Sequence, residues 1–154
     1  MTADKQARYD ELFLRLDGLC EGETDVITLM ATIACELNLA FERFHWVGFY
    51  RNMGDRTLKV GPYQGGHGCL VIPFDRGVCG RCATQEAVQN VPDVNALPYH
   101  IACASTTRSE LVLPIHDAGG RLLAVLDIDS DLPAAFDTID EHNLARITAY
   151  FQTG

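Results

Sequence analysis

A chain of 154 residues with 47% hydrophobic side chains has the length and the apolar content for one folded domain with a substantial core, which excludes an intrinsically disordered chain. A net charge of −9 argues against nucleic acid or an anionic membrane surface as a partner, because both repel an acidic protein. No apolar run approaches the roughly 18 residues of a membrane span, and the N-terminus, MTADKQARYD, lacks the apolar segment of an export signal. A cytoplasmic location is therefore expected. In that reducing compartment disulfides are usually transient and catalytic or redox-sensing, so the six cysteines are of chemical interest.

Taken in order, residues 4–18 place Tyr9, Leu12, Phe13 and Leu16 at the i, i+3, i+4, i+7 spacing of an amphipathic helix ending near Gly18. Residues 25–38 repeat the pattern with Val26, Leu29, Met30, Ile33 and Leu37, and Thr24 is the expected cap. The period then changes to two. Phe44–Arg51 reads as a strand with Trp46, Gly48 and Tyr50 on one face and His45, Val47 and Phe49 on the other. A turn over Asn52–Asp55 returns the chain as a second strand, Thr57–Tyr63. A flexible Gly-rich link, Gln64–Gly68, leads to a third strand over Cys69–Phe74. A short helix is expected from Gly80 to Glu86, a brief strand over Val88–Val91, and a hairpin of Glu110–Ile115 with Leu122–Ile128 across Asp117–Gly120. The final helix starts near Thr138, spaced from Glu141 as a capping box, with Leu144, Ile147 and Phe151 as its buried stripe. The order ααβββαβββα predicts an α+β domain: one mostly antiparallel sheet, helices packed on one face, and a loop-covered pocket on the other.

Four cysteines gather between Gly68 and Glu110. Cys69 opens an apolar run, Cys79 sits in a glycine-bracketed turn, Gly77-Val78-Cys79-Gly80, with Cys82 three residues on, and Cys103 lies in a long aperiodic segment. Thiols drawn from a strand, a turn and a loop do not look like core filling, whereas Cys20 and Cys35, within or beside helical stripes, do. Three carboxylates are also oddly placed. Asp127 and Asp129 end an apolar strand two residues apart, so both project from one face, roughly 6–7 Å apart. Glu110 opens the partner strand of the same hairpin. Strands often end in polar residues, but several acids on one face also suit a functional site. A calcium loop is a poor fit, since the sixth position counted from Asp127 is Leu132 and the twelfth is Thr138. Cys79-x-x-Cys82 with His100-x-x-Cys103 has the spacing of a structural zinc site. Zinc there leaves Cys69, the three acids and the aromatic strand without a role.

The segments HWVGFY (45–50), GPYQG (61–65), IPFDRGVCG (72–80), QNVPDV (89–94), HIACAS (100–105), SELVLPI (109–115) and LDIDS (126–130) together resemble the free methionine-(R)-sulfoxide reductases, small enzymes with the GAF fold. The resemblance spans roughly residues 25–150 and implies a single GAF domain over 1–154, with 1–24 as an N-terminal helical extension. It implies Cys103 as the nucleophile, Cys69 as the cysteine that resolves it through a disulfide, and Cys79 as a third redox cysteine able to exchange with that bond. Glu110, Asp127 and Asp129 match the acids that bind the sulfoxide oxygen and the substrate ammonium. Trp46 and Tyr50 match the aromatic pocket wall, with Trp46 near the substrate methyl. It further implies a homodimer, a thioredoxin-type thiol reductant and no resident cofactor or metal. Cys82 departs from the family pattern and puts in doubt which thiol pair passes electrons onward. The chemistry suits these residue types. A sulfoxide sulfur becomes electrophilic when a carboxyl group held neutral by burial and like charge protonates its oxygen, and Glu110 is the expected donor. A thiolate then attacks, and the resulting sulfenic acid condenses with a second thiol. The contrasting expectation is a non-catalytic GAF module that binds a ligand or senses redox state.

Overall fold

The computed structural model describes residues 2–99 and 106–152. Four helices and six strands follow the predicted order: α1 (Thr2–Leu19), α2 (Val26–Ala40), β1 (Trp46–Asn52), β2 (Thr57–Gln64), β3 (Val71–Pro73), α3 (Gly77–Gln85), β4 (Gln89–Val91), β5 (Ser109–His116), β6 (Leu122–Ser130) and α4 (Thr138–Leu144), the last continued by a 3-10 segment, Ala145–Phe151. Among the described residues no helix is long and apolar enough to cross a membrane.

The strands form one sheet in the order β3-β2-β1-β6-β5-β4, with every pairing antiparallel. Period-two alternation divides its residues between two cores. Val47 and Phe49 of β1, Leu111, Leu113 and Ile115 of β5, and Leu126 and Ile128 of β6 meet the buried stripes of α1 and α2 and the 3-10 residues Ile147 and Phe151. Each fully buried large apolar side chain there contributes about 1.5–3 kcal/mol, so this layer accounts for most of the hydrophobic stabilisation. Trp46 and Tyr50 point the other way, into a smaller cluster with Ile72, Val112, Val125 and the buried face of α3. The second face thus carries a helix as well as loops, which the sequence reading left to loops alone.

The differences from expectation lie at element ends. Asp25, not Thr24, caps α2: its carboxylate accepts from Thr28 N at 2.9 Å and from the Thr28 hydroxyl at 2.7 Å. A carboxylate carries more acceptor charge to the helix N-terminus than a hydroxyl does. The capping box of α4 sits one residue before the predicted one. Asp137 accepts from Ile139 N and Asp140 N, and Asp140 accepts from Asp137 N at 2.9 Å. Asp140 is fully buried and also accepts from Tyr9 Oη at 2.6 Å and Lys5 Nζ at 2.9 Å, tying α1 to α4. At the sheet edge β3 holds only Val71–Pro73, with Leu70 and Val71 exposed, so Cys69 precedes the strand instead of opening it.

The largest change concerns Cys79. It lies within α3, which begins three residues earlier than predicted. The glycines that suggested a turn serve the helix. Gly77 has φ +66 at its entry, a conformation glycine adopts without steric cost. At Gly80 a Cβ would stand 2.7 Å from the carbonyl oxygens of both Pro73 and Phe74. The missing side chain lets α3 press onto the backbone that precedes it, which turns Cys79 and Cys82 toward the sheet.

Candidate functional site

Strand register assembles the site. Trp46 pairs with Asp129, Asp129 with Glu110, and Glu110 with Val91, one row across β1, β6, β5 and β4. Gly48, Asp127 and Val112 form the next row. Side chains in such rows project from one face, and here the face is the one under α3. Glu110 and Asp127 are buried at 7% and 4% exposure. Asp129 is partly exposed as a residue, yet its Oδ1 is buried. Neither Asp127 Oδ1 nor Asp129 Oδ1 has a hydrogen-bond partner among the described residues. No described Lys or Arg forms an ion pair with any of the three acids.

α3 adds a thiol. Cys79 Sγ lies 4.0 Å from Glu110 Oε2, and one donor atom each from Cys79, Glu110 and Asp127 fall within 4.8 Å of one another. That spacing admits a small cationic group. Burial, and then the charges of Asp129 and Glu110, push the Asp127 carboxyl well above the usual carboxylate range. Burial and the charge of Glu110 do the same to Asp129. Burial, followed by the charges of Asp127, Glu110 and Asp129, pushes the Cys79 thiol up, and burial with Glu110 pushes Cys82 up to about 12. The Tyr50 phenol is raised by burial and by Asp127. Burial and like charge thus favour the protonated forms of Asp127 and Asp129, and no described Lys or Arg pairs with the cluster: it can protonate a polar oxygen and receive an ammonium group.

Its wall is aromatic. The Trp46 indole stacks on Tyr50 at 5.8 Å and on Tyr63 at 5.2 Å between ring centroids, and its Nε1 donates to Gly66 O at 2.7 Å. The Gly-rich segment read as a flexible link is thus fastened to the indole. Three glycines make the cradle. A Cβ on Gly65 would stand 2.9 Å from the indole, one on Gly68 2.9 Å from the Tyr50 hydroxyl, and one on Gly48 2.6 Å from Tyr63 Cβ and into the indole itself. Sequence reasoning missed Tyr63 and this use of glycine. The available signal was Gly48, alone between Trp46 and Tyr50 on one strand face. Gly48→Ala is expected to lower stability by about 1–3 kcal/mol, the usual range for overpacking, and to shift the emission of Trp46, the chain's one tryptophan. Thermal unfolding followed by intrinsic fluorescence checks both, and unchanged emission would show that the indole is not held this way.

The structure therefore brings together Trp46, Tyr50, Cys79, Glu110, Asp127 and Asp129, with Cys82 behind Cys79 on the same helix. Cys69 packs against the same cluster and is disulfide-bonded. The other four described cysteines, Cys20, Cys35, Cys79 and Cys82, are free. Cys103 and His100 lie outside the described residues, and with them half of the zinc tetrad weighed from the sequence.

Comparison with known proteins agrees with this geometry. The profile of the GAF domain family matches residues 20–152. Protein YtsP of Bacillus subtilis (strain 168) is 41% identical, over 94% of this chain and 89% of its own length. The free methionine-R-sulfoxide reductase of Escherichia coli (strain K12) is 37% identical, over 97% of this chain and 89% of its own. A crystal structure of the free methionine-R-sulfoxide reductase of Neisseria meningitidis in complex with its substrate superposes with a TM-score of 0.89 at 39% identity, covering 96% of this chain and 88% of that one. The chain belongs to the GAF domain family and, within it, to the free methionine-R-sulfoxide reductases.

Proposed function

We propose that this chain reduces free L-methionine (R)-S-oxide to L-methionine with electrons from its own thiols. The observation that carries the reading is the trio of Glu110 and Asp127, both buried, and Asp129, whose Oδ1 is buried: they have no basic partner among the described residues and face a Trp46–Tyr50 wall. A free amino acid brings the missing cation as its ammonium group. A methionine within a polypeptide has an amide there and cannot. The aromatic wall takes the S-methyl, since aromatic faces and edges favour polarisable sulfur groups.

In the first step a proton from the carboxyl cluster passes to the sulfoxide oxygen and the Cys103 thiolate attacks the sulfoxide sulfur; the sulfur–oxygen bond breaks as the hydroxyl passes to the cysteine sulfur, methionine leaves as the thioether and Cys103 becomes a sulfenic acid. Condensation with the Cys69 thiol then releases water and forms a Cys69–Cys103 disulfide. Cys69 is disulfide-bonded in the structure, which fits a cysteine that carries the resolving bond. An external dithiol of the thioredoxin type restores both thiols by exchange. The working form in this reading is a cytoplasmic homodimer that needs no metal or cofactor.

Purified protein incubated with free methionine (R)-sulfoxide and dithiothreitol should release methionine, measured by amino-acid analysis. It should release none from the same sulfoxide inside a peptide. Tight binding of the free sulfoxide without methionine would instead support a ligand-sensing GAF module.

A further inference from the structure

We propose that Cys82 is the redox partner of Cys79, and that the two form an internal dithiol on α3 that reduces the Cys69 disulfide left by turnover. The proposal rests on the reductase reading above and adds a second electron pair to it. Three observations lead to it. Cys79 and Cys82 are three residues apart on one short helix and face the same cluster, at 3% and 0% exposure. Both are free thiols in a structure where Cys69 is already bonded, so a reduced pair lies beside an oxidised one. Cys69 packs against the very cluster that contains Cys79 and Cys82.

Helix geometry permits the bond. Side chains three apart on a helix have Cβ atoms about 5–6 Å apart, and a disulfide needs about 3.5–4.5 Å. Closure by about 1–2 Å falls within a nine-residue helix that carries Gly80 between the two cysteines and Gly77 at its start. A core-filling role for Cys82 would need no second thiol three residues away on the same face. Burial also fits an internal donor. Burial raises a thiol's pKa and shuts out external reagents, so exchange at Cys79 is confined to a sulfur inside the protein and needs a neighbouring acceptor for its proton.

The step balances without an outside reagent. The Cys79 thiol passes its proton to Glu110 Oε2, 4.0 Å from Sγ, and its sulfur attacks a sulfur of the Cys69 disulfide, forming a mixed disulfide and expelling one thiolate. That thiolate takes the Cys82 proton as the Cys82 sulfur attacks Cys79, forming the Cys79–Cys82 bond and freeing the second thiolate, which takes the proton held at Glu110. Two electrons move from the α3 pair to the Cys69 pair, and the two protons lost by Cys79 and Cys82 go to the two thiolates released.

Counting methionine tests it. The full chain is completely reduced, freed of reductant without air, and given excess free methionine (R)-sulfoxide. Each thiol pair reduces one sulfoxide, so the wild type should release about two methionines per chain and a Cys79→Ala, Cys82→Ala double variant about one, a twofold loss. A Cys20→Ala, Cys35→Ala control should still release about two, because those thiols lie apart from this cluster. Peptide mapping of the spent wild-type protein should find a Cys79–Cys82 bond. One methionine from the wild type, or two from the Cys79→Ala, Cys82→Ala variant, would overturn the proposal, and so would a spent protein with Cys82 still free. The map of the wild type decides the matter alone if the double variant does not fold. No methionine at all from the wild type is a different result: it removes the reductase reading itself, and this proposal with it.

Discussion

Cys103→Ser is expected to form no measurable methionine while melting close to the wild type. Nucleophilic attack on a sulfoxide sulfur needs a polarisable anion. A thiol of ordinary pKa near 8.5 is a few per cent ionised at neutral pH and intrinsically very nucleophilic, whereas a serine hydroxyl is neither. The substitution changes one atom, so the packing consequence is small and the chemical one is complete. Cys69→Ser gives the contrast that identifies the step. There the first sulfoxide should still be reduced, leaving Cys103 as a sulfenic acid open to a sulfenic-acid-specific reagent. Mass spectrometry of both variants after one turnover, together with amino-acid analysis, separates attack from resolution. Substantial turnover by Cys103→Ser would move the nucleophile to another thiol, with Cys69 the first to examine.

Much of the site was legible because strand periodicity is simple. Trp46, Gly48 and Tyr50 share a face by a period of two, and Asp127 and Asp129 do the same. One antiparallel register then brings Glu110 opposite Asp129. Element order followed from the switch between periods of 3.6 and 2. What failed was local and competitive. Thr24 and Asp25 are both good caps, and only the hydrogen bonds to Thr28 decide between them. Gly77 and Gly80 carry the composition of a turn, and nothing in the sequence says that Gly80 is glycine because two carbonyl oxygens stand where its Cβ would be. The same ambiguity hid the cradle at Gly65 and Gly68, which reads as a loose link until the indole is placed on it. At Gly65 and Gly68 the deciding contact comes from residues distant in sequence; at Asp25 and Gly80 it is near in sequence but depends on a geometry that residue type alone does not record.

The acids present the second large effect. The donor expected from the sequence is Glu110, and burial with like charge pushes the carboxyls of Asp127 and Asp129 well above the usual range, which makes them candidate donors beside it. Asp127→Asn is therefore expected to lower kcat by roughly 10²–10⁴, the usual range for lost acid catalysis. The same change should raise stability at neutral pH. Below the unfolded pKa of about 3.9, folded and unfolded chains both hold the Asp127 proton and the buried acid costs nothing. Above it the unfolded chain ionises while the folded one stays protonated, so stability falls as pH rises, until the raised folded pKa is passed. The loss is about 1.4 kcal/mol for each pH unit crossed in that window. Asparagine does not titrate, so the variant should melt with the wild type near pH 4 and above it at pH 7. A merely structural Asp127 predicts the reverse: a lower melting temperature and unchanged turnover per folded molecule. Glu110→Gln, measured beside it, locates the proton. If that variant loses as much kcat as Asp127→Asn, the three carboxyls titrate as one unit with no single donor. If only Glu110→Gln is impaired, the donor is Glu110 and the assignment to Asp127 is wrong.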